Sequence, residues 1–216
     1  MKKRVTFICL ITALAFGCAS TYTTENFDSY VPNHKTLAIL PFKVIIKPHP
    51  RDKNATIENI TKMQEEEAFL MQQYLYSRLL RKKQDYRYSV DFIDIDKINA
   101  LLHEQNLTYD DIINMPKEKI AEITGADAIM SGYVVKTQPF SKGGALALGI
   151  ASTILSDHHG GIWLTTDEVD IQLKIHDGRD GNLIWSYEGE TSGSVGSSPE
   201  EMVQFLIRNI SRRFPY

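Results

Sequence analysis

Cysteine is almost absent: the 216 residues hold two, Cys9 and Cys18. Cys9 lies in an apolar N-terminal stretch and would leave with it if that stretch is a cleaved leader. The single cysteine then remaining cannot close an internal disulfide, and it cannot build a cysteine-rich zinc site. Basic excess is absent as well. Net charge is −3, and loss of Lys2, Lys3 and Arg4 with a leader makes the chain more acidic still. Such a chain offers no electrostatic footprint for nucleic acid or anionic headgroups, so neither is expected as a partner. Nowhere is there the run of about 20 apolar residues that a membrane-crossing helix needs. P-loop, dinucleotide fingerprint and serine elbow are missing too. No enzymatic activity and no cofactor is expected.

What is present begins at the N-terminus. Lys2-Lys3-Arg4 is a short positive region, and residues 5–16 are apolar apart from two threonines. As a helix that stretch spans roughly 18 Å, well short of a ~30 Å hydrocarbon core, so it reads as a signal peptide. Ala15-Phe16-Gly17-Cys18 follows at the cleavage position. This order resembles the lipobox of bacterial lipoproteins, although Phe16 is larger than the residue usual there. The resemblance implies that Cys18 is diacylated, exposed by cleavage at residues 1–17 and acylated again, which makes attachment effectively permanent. Ala19 stands where an aspartate would mark inner-membrane retention, which implies the outer membrane, facing the periplasm. Residues 18–34 are rich in Ser, Thr, Tyr and Asn without apolar period, and read as a flexible tether.

The remainder, 35–216, reads as one α/β (α+β) domain. Residues 36–42 (TLAILPF) suit a buried strand. A helix is predicted over 61–83, with Ala68, Met71, Leu75 and Leu79 on one face and a charge order that complements its dipole. Residues 90–94 suggest a short strand, followed by short helices from Asp96, from an N-cap at Thr108, and from Pro116 to a Gly125 cap. Residues 128–135 (AIMSGYVV) suggest a central strand in which Gly132 packs closely. Clean alternation over 168–176, a turn at 177–182 and a partner strand over 183–189 predict a hairpin. Ser198-Pro199-Glu200-Glu201 opens a closing helix. The expected architecture is a mixed sheet covered mainly on one face by helices.

Residues LAILPF, IAEITGADAIMSGYV and VDIQLKIHDGRDGNLIWS, in this order, resemble the TolB N-terminal, CsgG and LpoB type of periplasmic domain. The resemblance implies a non-enzymatic role through protein contacts in envelope assembly, secretion or regulation. It carries no catalytic residues over, and it leaves a homo-oligomer open.

Residues 139–166 interrupt the domain as an insertion. The stretch 143–155 (GGALALGIASTIL) is uncharged and apolar. As a strand its large and small residues alternate, as a membrane β-hairpin requires at ~9–11 residues per crossing. As a helix Leu146, Ile150 and Ile154 stack on one side. The pattern supports both, and the first would suit a secretion-channel subunit. The CsgG type has a second membrane hairpin, for which residues 187–197 are too short and polar.

Three polar clusters invite chemistry and are explained more simply. His158-His159 are adjacent imidazoles without a third ligand nearby, so no metal is expected. The D-G-R-D-G-N run lacks the acidic spacing of a calcium loop and reads as a turn. Asp91, Asp94 and Asp96 suit a strand end and a helix cap.

Overall fold

The structure is a computed structural model, and it describes residues 19–47, 56–137, 167–193, 199–210 and 213–216. The elements run in chain order as β1 (Ala19–Thr23), α1 (Phe27–Tyr30), a single 3-10 turn (Val31–Asn33), β2 (Thr36–Ile39), β3 (Lys43–Lys47), α2 (Ile57–Tyr86), β4 (Asp91–Phe92), α3 (Ile95–Glu104), α4 (Tyr109–Asn114), α5 (Lys117–Thr124), β5 (Ala128–Thr137), β6 (Asp167–Asp177), β7 (Leu183–Gly193) and α6 (Pro199–Ile210). The strands form one mixed sheet in the order β1-β7-β6-β5-β2-β4, with β3 also beside β5. β2 and β3 both lie parallel to β5, separated at Leu40-Pro41-Phe42, where the pairing shifts register between Ile39–Met130 and Lys43–Tyr133. β6 and β7 are the antiparallel hairpin that the alternation predicts.

One face of the sheet is apolar throughout. Val169, Ile171, Leu173 and Ile175 of β6, with Trp185 and Tyr187 of β7, are buried there with Ala68, Met71, Leu75 and Leu79 of α2. α6 adds Val203, Leu206 and Ile210 to the same core. At about 25 cal/mol per Å2 of apolar surface, a layer of this kind dominates the folding free energy. Among the described residues the opposite face is covered only at one side, where α3, α4 and α5 bury Ile98, Leu102, Ile112 and Ile120 against Ala38, Leu40 and Ile129. The fold is therefore α+β, with helices mainly on one face.

Local chemistry explains the boundaries. Thr56 caps α2 by accepting from Asn59 N, and Arg87 ends it in the left-handed region at φ 54°. Asp94 accepts from Asp96 N and Lys97 N, so α3 starts at Ile95 and the strand before it shrinks to Asp91–Phe92. Thr108 and Asp111 form a reciprocal capping box on α4. Pro116 is the cap of α5 rather than its first residue, and Gly125 closes that helix at φ 70°. A Cβ on Gly132 would lie 2.2 Å from the Phe42 ring, which is the close packing expected of it. Buried Gln72 donates to the Ile39 carbonyl at 2.8 Å, satisfying β2 where it parts from the ladder.

One expectation is corrected. Residues 19–33 do not form a tether. Ala19 to Thr23 pair antiparallel with Gly189 to Trp185 as an edge strand, and α1 and the following turn carry the chain to β2. Thr and Tyr suit an extended backbone, and β7 supplies the hydrogen bonds that an isolated polar segment lacks. The sheet thus already includes Ala19–Thr23, ahead of Lys35. The apolar insertion 139–166 lies outside the described residues, as does Ser198 of the closing helix's cap.

Candidate functional site

Cys18, the expected lipidation site, lies outside the described residues, as do His158 and His159. The structure does place the other two acidic groupings. Asp94 is a helix cap, and Asp91 pairs with Lys83 at the surface. The D-G-R-D-G-N run is a tight hairpin turn, with Gly181 at φ 70°. Among the described residues no three His, Cys, Asp or Glu side chains gather as metal ligands, and no helix is long and apolar enough to cross a membrane.

The turn nevertheless holds the most elaborate polar network described. Asp177, fully buried, accepts from His34 Nε2 at 2.9 Å and from Arg179 Nη2 at 3.0 Å. Its other oxygen accepts from the backbone N–H of Arg179 at 2.8 Å. Burial pushes the Asp177 carboxyl up, but these donors outweigh it and hold the group down at about 2. An ionised carboxylate can only accept, so His34 Nε2 carries the proton. In the neutral imidazole Nδ1 then accepts from the Tyr216 hydroxyl, 2.7 Å away. Burial raises the Tyr216 phenol above its ordinary value, so it stays protonated.

An acid, an imidazole and a phenol in a row suggest catalysis, but the His34 and Asp177 side chains are 1% and 0% exposed. No substrate reaches them. The network instead ties three parts of the chain: the segment leading into β2, the β6–β7 turn and the C-terminus. Asp127 makes a smaller tie nearby, its Oδ2 accepting from Lys35 N, Thr36 N and Thr36 Oγ1 at 2.9–3.0 Å. Sequence reading missed His34 and Tyr216, because neither lies in a periodic segment.

Among the described residues the accessible feature is the face of β5, β6, β7 and β1 turned away from α2. Its rows follow from the register: Tyr133, Gln172, Glu188 and Ser20 in one, Ser131, Lys174, Ser186 and Tyr22 in the next. Gln172 donates to Glu188 at 2.9 Å, and Tyr22 is 51% exposed. Where this face meets α4 and α5 a cavity of about 260 Å3 opens, lined by Lys43, Lys117, Lys174 and His176 together with Ser131 and Tyr133. Desolvation, with the Lys117 and Lys174 ammonium groups, drives the His176 imidazole down to about 4. The alternation of β6 already put Lys174 and His176 on one side; that Lys43 and Lys117 join them comes only from the fold.

No family model and no curated protein matches the chain. Solved structures do resemble it at low extent. Lipoprotein GNA1162 from Neisseria meningitidis is 12% identical with a TM-score of 0.41, covering 83% of this chain and 96% of its own. The PelC dodecamer from Paraburkholderia phytofirmans is 12% identical at 0.37, covering 90% and 95%. The LpoB C-terminal domain from Salmonella enterica is 10% identical at 0.38, covering 74% and 84%. No residue role passes from those proteins to this chain.

Proposed function

We propose that this chain is a bacterial envelope lipoprotein, held by lipidated Cys18 on the periplasmic side of the outer membrane and acting by protein contacts rather than catalysis. The observation that carries it is the leader ending in Ala15-Phe16-Gly17-Cys18. Its domain is of the TolB N-terminal, CsgG and LpoB type, on the motifs in the central and late strands. The open, polar face of the sheet offers such contacts a surface, and accessible polar faces with exposed aromatics suit recognition.

The geometry supports a short leash. β1 begins at Ala19, the residue after the anchor, and runs from the end of the sheet at which β5 ends and β6 starts. Residues 138–166 connect the end of β5 to the start of β6, so Ala19 and both ends of that connection lie toward one pole of the sheet. In this reading that pole faces the bilayer and the open sheet stands beside it. Mass spectrometry of the mature N-terminus is the test. A triacylated Cys18 is expected, and its loss in Cys18→Ser should release the protein from membranes. A mature chain starting elsewhere with a free thiol overturns the reading.

A second reading, a subunit of a secretion channel, is favoured by the large-and-small alternation of residues 146–154. Planar-bilayer recording separates the two, since only a channel conducts.

A further inference from the structure

We propose that the cavity between α4, α5 and the open face of the sheet binds an oxyanion, a carboxylate or phosphate group of a small ligand. The proposal rests on four features of the described residues and is independent of the lipid on Cys18.

The charge is concentrated against the trend of the chain. Net charge is −3, yet Lys43, Lys117 and Lys174 arrive in one cavity from β3, α5 and β6. None of them is in an ion pair among the described residues. Lys43 Nζ reaches only the amide oxygen of Asn114 at 3.4 Å, and Lys117 Nζ the Met115 carbonyl at 3.0 Å. Each ammonium keeps donors to spare, since it carries three. Like charges held together destabilise a fold; Glu118 offsets part of this at Lys117, and an anion in the cavity would offset the rest.

Neutral groups complete the lining in a way that fits an oxyanion. His176 Nδ1 is buried and has no hydrogen-bond partner among the described residues. A buried polar atom left without a partner costs about as much as a lost hydrogen bond, and a ligand oxygen reaching it would satisfy the tautomer that carries its proton on Nδ1. Ser131 and Tyr133 add side chains that can donate. The carboxylate that acts on His176 is that of Glu118, whose Oε2 lies beside Gly181 of the β6–β7 turn, 2.3 Å from where a Cβ would stand. At about 260 Å3 the cavity has room for one anionic group with a short attachment.

The full mature chain in a non-ionic detergent is to be titrated calorimetrically with inorganic phosphate, with acetate, and with an N-acetylated dipeptide bearing either a free or an amidated C-terminus. One saturable site is expected for at least one oxyanion, with the His176 imidazole resonances shifting along the same curve. Phosphate against acetate separates the two oxyanions, and the amidated peptide identifies a terminal carboxylate by failing to bind. Lys174→Gln and Lys117→Gln should each weaken binding about tenfold, while Lys97→Gln on the exposed side of α3 leaves it unchanged. Lys43→Gln serves where either variant proves unstable. Saturation by no probe, or an equal loss in Lys97→Gln, overturns the proposal.

Discussion

His34 and Asp177, 143 residues apart, meet at 2.9 Å inside the protein and hold the entrance of the sheet to its last hairpin. Removing the imidazole leaves a buried carboxylate with Arg179 as its remaining side-chain partner, and leaves Tyr216 without an acceptor. His34→Ala should therefore lower unfolding free energy by about 3 kcal/mol. Tyr216→Phe, which deletes one hydrogen bond and keeps the ring, should cost only about 1 kcal/mol. Urea denaturation of the two variants gives both values, and equal losses would show that the ring and not the network holds the C-terminus.

The pH dependence of stability should come in two parts. His176 is held at about 4 in the fold against an unfolded value of 6.5, so between those limits the unfolded chain binds more protons. Stability then rises with pH across that window and falls as His176 is forced to charge. The groups that face it are Lys117, Lys174 and Glu118. Asp177, depressed to about 2, contributes stability that is present above its unfolded value of 3.8 and lost as pH falls toward 2. His176→Gln should flatten the upper part and leave the lower one. Thermal unfolding from pH 2 to 8 measures both.

Gly132 has no room for a side chain. Its Cβ would enter the Phe42 ring, which is itself fully buried. Gly132→Ala should cost about 1–3 kcal/mol through overpacking. Phe42→Leu in the same chain should recover part of the loss, and a double-mutant cycle on thermal stability reads the coupling.

Tyr187 presents the opposite case. Its hydroxyl is buried with no partner among the described residues, beside Gly189. Tyr187→Phe removes a polar atom that gains nothing from burial, so stability should hold or rise by up to about 1 kcal/mol. A clear loss would reveal a partner for that hydroxyl.

Much of the fold was legible because its signals are local. The 3.6-residue spacing of Ala68, Met71, Leu75 and Leu79 marks α2, and the alternation of Val169, Ile171, Leu173 and Ile175 marks β6; both sets are buried as those periods require. Thr108 and Gly125 act as the caps their types suggest. What could not be read was set by partners distant in sequence. Residues 19–23 look like a linker until β7 lies beside them. His34 looks like a loop histidine until Asp177 and Tyr216 close on it. The lysine-lined cavity draws on β3, α5 and β6, so no single window of sequence contains it.

Lys136 is the only lysine among the buried residues described, 7% exposed on the apolar face of β5, two positions after the core residue Val134. Its ammonium lies 2.9 Å from both carboxylate oxygens of Glu67 on α2. Two buried charges of this kind each lose their hydration, and their attraction roughly offsets that loss. Breaking the pair is a different matter. Lys136→Met should cost about 3 kcal/mol or more, because Glu67 is left charged in a site where its side chain is only 15% exposed. Lys136→Met combined with Glu67→Leu removes both charges and fills the space with apolar atoms, so most of that loss should return. A thermal-denaturation cycle over the four proteins decides it. If the double variant is as unstable as Lys136→Met alone, the pair contributes net stability, and joining β5 to α2 is its structural role.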